Sequence, residues 1–368
     1  MKISCFKKDL KEAVLICDRI SGKNINLFIL SHILLDAEGK NLKLTSTNLE
    51  LGVEIIIPAK IEKKGKITIP ASVLNSFLFN ISENNQIILE SKNNNLEIYT
   101  NNNSTLIKSQ PTEDFPNLPK LISESDNKIS ISVIDFISGL KAVFYSCSFS
   151  TIKPEISSVY LYSNKTEMIT FTATDSFRLA EKKLNYFFPD LGPILIPFKT
   201  VVEIIRIFEG KEGKINVLFN KNQINIQKDG LLFVSRLTSG IFPDYNQIIP
   251  KKFTTDVIID REFFINSLKM AGIFSGKLNE LNIFVNSGEN FLAIKTSNNE
   301  IGEHVSKIPA KITGEGVKTT FNHKYIQDCL SSINTKDIIL RFSGEGKPLL
   351  IAGAQDNTFQ YLVMPMSV

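Results

Sequence analysis

A strand followed by an amphipathic helix recurs three times along this chain at nearly constant spacing. The pattern reads as strand 2–6 with helix 7–21, strand 128–133 with helix 135–146, and strand 256–259 with helix 261–272. Ile3 to Ile129 is 126 residues and Ile129 to Val257 is 128. A repeat of this kind means that one supersecondary unit is built several times over. Each helix is expected from a 3.6-residue apolar stripe: Leu10, Val14 and Cys17; Phe136, Leu140 and Val143; Phe264, Leu268 and Ala271. A second strand and helix follow in each third, at 66–70 and 71–81, 193–197 and 198–208, and 318–321 and 323–333. Their spacing holds too, with 127 residues from Ile69 to Ile196 and 125 from Ile196 to Phe321.

Between the helices run stretches of period-2 alternation, such as 41–46, 168–173 and 291–296. Asn93 to Asn95, Lys221 with Asn222, and Gly344 to Gly346 are expected hairpin tips. Each third therefore reads as two helices plus about eight strands. Both helices must lie on one face of antiparallel sheets, or their apolar stripes stay in water. Prolines punctuate the chain at Asp114-Phe-Pro-Asn-Leu-Pro119, at Phe242-Pro-Asp-Tyr245 and at Pro250. The expected domains are 1–120, 121–250 and 251–368. The fold class is α+β, and three near-equal domains with no appended catalytic module suggest a chain whose work is its shape.

Composition narrows the functions open to such a chain. Of 368 residues, 43% are hydrophobic and 22% charged, as in an ordinary globular protein. The net charge of +4 is spread as +2, +1 and +1 over the three thirds, with no basic or acidic arm. Cys5, Cys17, Cys147 and Cys329 form no CxxC pair and no dense disulfide framework, so they read as buried thiols of a reducing cytosol. No secretion signal follows the N-terminal lysines, and the longest uncharged stretch is broken by Pro70. A soluble, cytoplasmic protein with no membrane contact is expected.

Enzymatic signatures are missing. His32, His304 and His323 are scattered and lie near no cysteine pair, so neither a metal nor a cofactor is expected. The glycines at 210–213 and 344–346 lack phosphate-loop spacing. Asp175 and Arg178 form the one polar cluster that invites a hydrolase reading. A carboxylate with no base, nucleophile or metal beside it does little chemistry, so an ion pair at a strand end is the better reading, and no enzyme is expected.

Four motifs carry a resemblance over the full length. Ala173-Thr-Asp-Ser-Phe-Arg-Leu-Ala180, Phe242-Pro-Asp-Tyr-Asn-Gln-Ile-Ile-Pro250, Asp114-Phe-Pro-Asn-Leu118 and Tyr361-Leu-Val-Met-Pro-Met366 resemble, in order, those of the bacterial sliding clamps, the beta subunits of DNA polymerase III. The resemblance implies three tandem repeats of the DNA clamp fold and a closed ring made by a head-to-tail homodimer, helices lining the hole. It implies a processivity factor that encircles double-stranded DNA without reading sequence and tethers the replicative polymerase. Sliding suits loose phosphate attraction, because base-specific contacts would stop it. The expected partners are the DNA polymerase III catalytic subunit, the clamp loader, other polymerases and mismatch-repair proteins.

The same resemblance carries over a partner-peptide pocket at Ile156, Thr174, Ser176, Phe177, Arg178, Leu179, Pro243, Gln247, Ile248, Leu362, Met364, Pro365 and Met366. Methionine suits such a cleft, being flexible and polarizable enough to fit varied anchors. Candidate DNA contacts are Lys23, Lys141, Lys153, Lys199, Arg206 and Lys277, and candidate ring-closing residues are Leu106 and Ile107 facing Ile273 and Phe274. Across the six helices, ten basic residues, Lys7 among them, stand against eight acidic ones when Glu209, next to Phe208, is included, so retention on DNA is expected to be topological more than electrostatic. Ser176 stands where the family commonly has glycine, and Thr105 where it often has an aromatic. A scaffold of repeated modules without nucleic-acid function is the competing reading.

Overall fold

A computed structural model describes residues 1–22, 27–81, 86–119, 127–150, 152–164, 168–186 and 192–366. The first third contains β1 (Lys2–Phe6), α1 (Lys7–Ile20), β2 (His32–Glu38), β3 (Asn41–Thr47), β4 (Leu51–Pro58) and β5 (Lys60–Lys63). It continues with β6 (Gly65–Pro70), α2 (Ala71–Asn80), β7 (Gln86–Lys92), β8 (Asn95–Tyr99) and β9 (Ser104–Lys108). The second has β10 (Asn127–Ser132), α3 (Val133–Val143), β11 (Ser158–Asn164), β12 (Met168–Thr174) and β13 (Arg178–Asn185). After these come β14 (Ile194–Pro197), α4 (Phe198–Phe208), β15 (Lys214–Phe219), β16 (Gln223–Lys228) and β17 (Leu231–Arg236). The last has β18 (Thr255–Asp260), α5 (Arg261–Ile273), β19 (Glu280–Val285), β20 (Phe291–Asn298) and β21 (Gly302–Gly314). It ends with β22 (Val317–Asn322), α6 (His323–Cys329), β23 (Asp337–Phe342), β24 (Leu349–Gly353) and β25 (Phe359–Val363).

Six helices thus stand where the repeat places them. Two end sooner than their apolar stripes suggest: α3 tightens into a 3-10 turn at Phe144–Ser146, and α6 into one at Leu330–Ser332. All nine stripe residues, from Leu10 to Ala271, are fully buried. The helix α1 packs on α2, β3 and β4, and α5 packs on α6, β20 and β21. Chain chemistry sets the junctions. Pro70 and Pro197 close β6 and β14 directly before α2 and α4, because proline lacks the N–H that a ladder needs but suits the mouth of a helix. In the last third Asn322 takes that place, and its side chain accepts from the Lys324 N–H at 3.0 Å. Asn93 and Asn94 adopt φ of 50° and 57° between β7 and β8, as a two-residue hairpin turn requires.

Contacts divide the chain into two compact units, Met1–Val133 with Arg206–Leu237, and Ile134–Ile205 with Thr238–Val368. Neither boundary follows the thirds, because sheets run across them. In the first unit β17 pairs with β4, Leu231 opposite Ile55 and Phe233 opposite Val53, giving an eight-stranded sheet β10-β15-β16-β17-β4-β3-β2-β6. In the second, β25 pairs with β13, Val363 opposite Arg178 and Leu362 opposite Leu179, within the order β14-β11-β12-β13-β25-β24-β23-β18-β21-β20-β19-β22. The join is the same in both cases: the last strand of one third adds to the third strand of a meander, β2-β3-β4 or β11-β12-β13, in the third before it. A separate five-stranded sheet, β5-β1-β7-β8-β9, completes the first unit.

Candidate docking site

The carried-over pocket residues fall on four segments of the second unit. One is the turn between β12 and β13. Thr174 Oγ1 donates to the Arg178 carbonyl at 2.7 Å, and Asp175 Oδ1 accepts from the N–H groups of Phe177 and Arg178, both at 3.0 Å. Those bonds hold Ser176 at φ 78° and push the Phe177 ring outward, 61% exposed. A second segment is the tail after β25, where the Met364 N–H donates to the Phe177 carbonyl at 2.8 Å and the Met366 N–H to the Thr320 carbonyl at 2.8 Å. Met364, Pro365 and Met366 are half-buried, whereas Leu362 and Leu179 lie fully inside.

The third segment is 241–250. Phe242 stacks flat on Tyr160 with centroids 4.7 Å apart, and both Phe242 and Tyr245 enter an apolar cluster with Leu179, Leu195, Leu350 and Leu362. Anchored so, the segment leaves Pro243, Gln247 and Ile248 exposed. Gln247 Nε2 donates to Asp244 Oδ2 at 2.8 Å, which keeps that short turn closed. The fourth segment, the loop before β11, carries Ile156, which is buried and whose carbonyl accepts from the Ser148 N–H at 2.9 Å. Phe149, Ile152 and Ile241 escaped the sequence reading and are 75%, 87% and 90% exposed. Only the mismatch of strongly apolar residues in turn-rich segments could have flagged them.

Arg178 is the most engaged charge of the site. It is buried, its Nε donates to Asp175 Oδ2 at 2.9 Å and its Nη1 to Asp328 Oδ2 at 2.6 Å, and its guanidinium lies 4.4 Å over the Tyr325 ring. Burial alone would lower its affinity for a proton, yet Tyr361 and the two carboxylates hold it well above the usual arginine value. These bonds make Asp175 and Arg178 braces of the turn. Among the described residues no cluster of three or more His, Cys, Asp or Glu is arranged to hold a metal ion, and no helix is long and apolar enough to cross a membrane.

The candidate DNA contacts Lys141, Lys153, Lys199, Arg206 and Lys277 are all exposed, on or beside α3, α4 and α5, while Lys23 lies outside the described residues. Lys7 departs from its expected part in the helical charge. It is 6% exposed and donates to the Ile81 carbonyl beyond the end of α2, so it is a structural tie. The candidate ring-closing residues also divide. Leu106 and Ile273 are 55% and 66% exposed, and Phe274 is half-buried against the His304 ring, but Ile107 is buried in its own sheet. Strand alternation requires this: if Leu106 points outward on β9, Ile107 points in.

Comparison with known proteins agrees with this architecture. The family models of the DNA polymerase III beta subunit match in order: the N-terminal domain at residues 1–119, the central domain at 130–244 and the C-terminal domain at 246–367. The chain is 25% identical to the beta sliding clamp of Synechococcus elongatus over 376 residues, covering 100% of both. To that of Staphylococcus aureus it is 25% identical over 362 residues, 92% of each. Solved structures share its fold. The DNA polymerase III subunit beta of Pseudomonas aeruginosa superposes with a TM-score of 0.94 at 22% identity, covering 100% of both chains. The Bacillus subtilis sliding clamp gives 0.94 at 24%, covering 100% of this chain and 99% of its own. The family models and the named relatives, together with the fold, define a repeat-built DNA sliding clamp, a non-enzymatic processivity factor. The chain belongs to the DNA polymerase III beta subunit family. Members of that family bind DNA, form dimers and tether polymerase partners.

Proposed function

We propose that two copies of this chain join head to tail into a closed ring that encircles duplex DNA in the cytoplasm and slides along it, while the second unit of each copy docks extended peptides of polymerases, the clamp loader and mismatch-repair proteins. The observation that carries this reading is the pattern of sheet joins. Within the chain, β17 adds to β4 and β25 adds to β13. The corresponding pair left over is β9 and the first half of β21. Among the described residues β9 pairs only with β8, and β21 pairs with β20 over residues 302–309 while β18 reaches only residues 310–314. A strand with an unpaired edge seeks a partner, and joining the β9 of one copy to the β21 of another repeats the join already made twice. Two copies joined so at both ends close on themselves, as a heterologous contact does when its rotation closes.

Domains at 1–120, 121–250 and 251–368 fit this scheme, supported by the ranges of the three family models. Lys23, Lys141, Lys153, Lys199, Arg206 and Lys277 would then supply sequence-blind attraction to phosphates, few enough that closure of the ring does most of the holding. The docking reading rests on exposed Phe177 and Ile248 and half-buried Met364 and Met366, all fixed to strands that bury Leu179 and Leu362. Retention on DNA tests the ring. The protein should have twice the chain mass in solution, stay on nicked circular DNA, and leave once the circle is cut. Equal retention on circular and linear DNA, or a solitary chain at micromolar concentration, would reject encirclement and favour the scaffold reading.

A further inference from the structure

We propose that Tyr245 is a positioning residue of the docking site, a hydroxyl latch that fixes the segment carrying Pro243, Gln247 and Ile248 to the strands forming the rest of it; this rests on the docking reading above. Tyr245 is 4% exposed, and its hydroxyl donates to Glu181 Oε2 at 2.5 Å. Thr172 Oγ1 donates to that hydroxyl at 3.2 Å, and the Tyr162 hydroxyl lies 2.8 Å away. Since the one proton of Tyr245 goes to the carboxylate, Tyr162 is the donor in that contact. Glu181 Oε1 accepts in turn from Gln360 Nε2 at 2.7 Å and Lys183 Nζ at 2.9 Å. Burial, and then the Glu181 carboxylate, push the Tyr245 hydroxyl far above its ordinary pKa, so it stays a donor.

The placement of this network is what gives it a role. Thr172, Glu181 and Gln360 are directly opposite one another across β12, β13 and β25. They form a polar row beneath a segment otherwise held by apolar contacts of Phe242, Leu195, Leu350 and Leu362. Glu181 is only 3% exposed. Replacing a buried, fully bonded charge by well-packed apolar side chains is commonly neutral or stabilising, so fold stability alone does not call for one here. Direction does. Apolar contacts tolerate sliding, whereas a bond between hydroxyl and carboxylate holds only at one distance and angle. The two strands that grip the latch, β13 and β25, also carry docking residues at one shared end: β13 opens on Arg178 and Leu179, and β25 closes opposite them on Leu362 and Val363, followed by Met364. One bond therefore sets the segment in register with the remaining docking residues.

The test uses the full chain and a fluorescein-labelled clamp-binding peptide of a DNA polymerase III catalytic subunit, read by anisotropy well below the melting temperature. Tyr245→Phe should weaken binding about tenfold and speed amide exchange at residues 241–248 while leaving β11 and β12 unchanged. Glu181→Gln leaves the Tyr245 hydroxyl one acceptor oxygen but turns its amide onto the Gln360 and Lys183 donors, so it should weaken binding by less than Tyr245→Phe does. Ile339→Ala, in the same apolar cluster, should lower the melting temperature and leave affinity unaltered. Removal of Met364 to Val368 should abolish binding. If that truncation abolishes binding but Tyr245→Phe binds like the parent, or if Ile339→Ala weakens binding as much as Tyr245→Phe, the latch is wrong and the docking site stands. If the truncated chain binds normally, the docking reading fails and the latch with it.

Discussion

Ser176 holds a backbone conformation that an L-residue adopts at a cost, with φ at 78° in the turn that presents Phe177. Three bonds impose it: the two N–H groups that Asp175 accepts, and the Ser176 N–H donating to Thr174 Oγ1 at 3.2 Å. A β-branched side chain tolerates that region worst, so Ser176→Val should lose about 1–2 kcal/mol. Ser176→Gly relieves the strain but loosens the unfolded chain, and should leave stability within about 1 kcal/mol. Denaturant midpoints of the three proteins check this, and a valine variant as stable as the glycine variant would show that the turn is not fixed. The glycine common in the family at this position anticipates the finding from sequence. The partners of Arg178 were not legible in the same way. Asp175 is close in the chain, but Asp328 lies 150 residues further on, and no local pattern announces a tie across that distance.

Elements were legible where their signal is local and lost where it is not. The apolar stripes placed the helices because burial of one face is written every three or four residues. Gly139 sits inside α3, where glycine costs a helix about 1 kcal/mol against alanine. Its structural reason is the sheet below: a Cβ there would come within 2.6 Å of the Phe171 ring, which is itself fully buried against Phe136. Gly139→Ala should therefore cost about 1–2 kcal/mol net, overpacking outweighing the gain of about 1 kcal/mol in helix propensity. Thermal melts decide, since a stabilised variant would mean that the ring can yield. The turn between β24 and β25 gives a pH dependence. Burial would raise the Asp356 pKa, but the Thr358 N–H and Oγ1–H, at 2.7 and 2.5 Å, and Lys182 Nζ at 3.7 Å outweigh it and hold the carboxyl below its ordinary value. A depressed carboxyl stabilises the fold above its unfolded pKa, near 4, and that gain is lost as pH falls through the lower folded value. Asp356→Asn should flatten this part of the acid limb of stability between about pH 5 and 2. An unchanged limb would assign the acid sensitivity elsewhere.

At the scale of the whole molecule the repeat announced three modules but not how they join. Pairing of β17 with β4 links residues 231–235 to 51–55, and pairing of β25 with β13 links 359–363 to 178–182. Such long-range registers leave no trace in the local alternation that identifies a strand, which is why the compact units cut across the sequence thirds. Ile107 is a different case, since alternation along β9, with Ser104, Leu106 and Lys108 facing out, is a local signal that separates it from Leu106. The proposed closure by a third join of this type would put Leu106 beside an edge flanked by exposed Ile301, before β21, and Val305, on it, with Ile273 at the end of α5. In the proposed ring a carboxylate placed there would be taken out of water against apolar side chains. Leu106→Asp should therefore weaken association by about 3 kcal/mol, on the order of a hundredfold in dissociation constant. In sedimentation the variant should run as a single chain at concentrations where the parent runs as two, and it should be lost from nicked circles as readily as from linear DNA. Peptide affinity should not change, because every docking residue lies in the other unit of the chain from β9. A Leu106→Asp protein that still sediments at twice the chain mass would move the ring-closing edge away from β9.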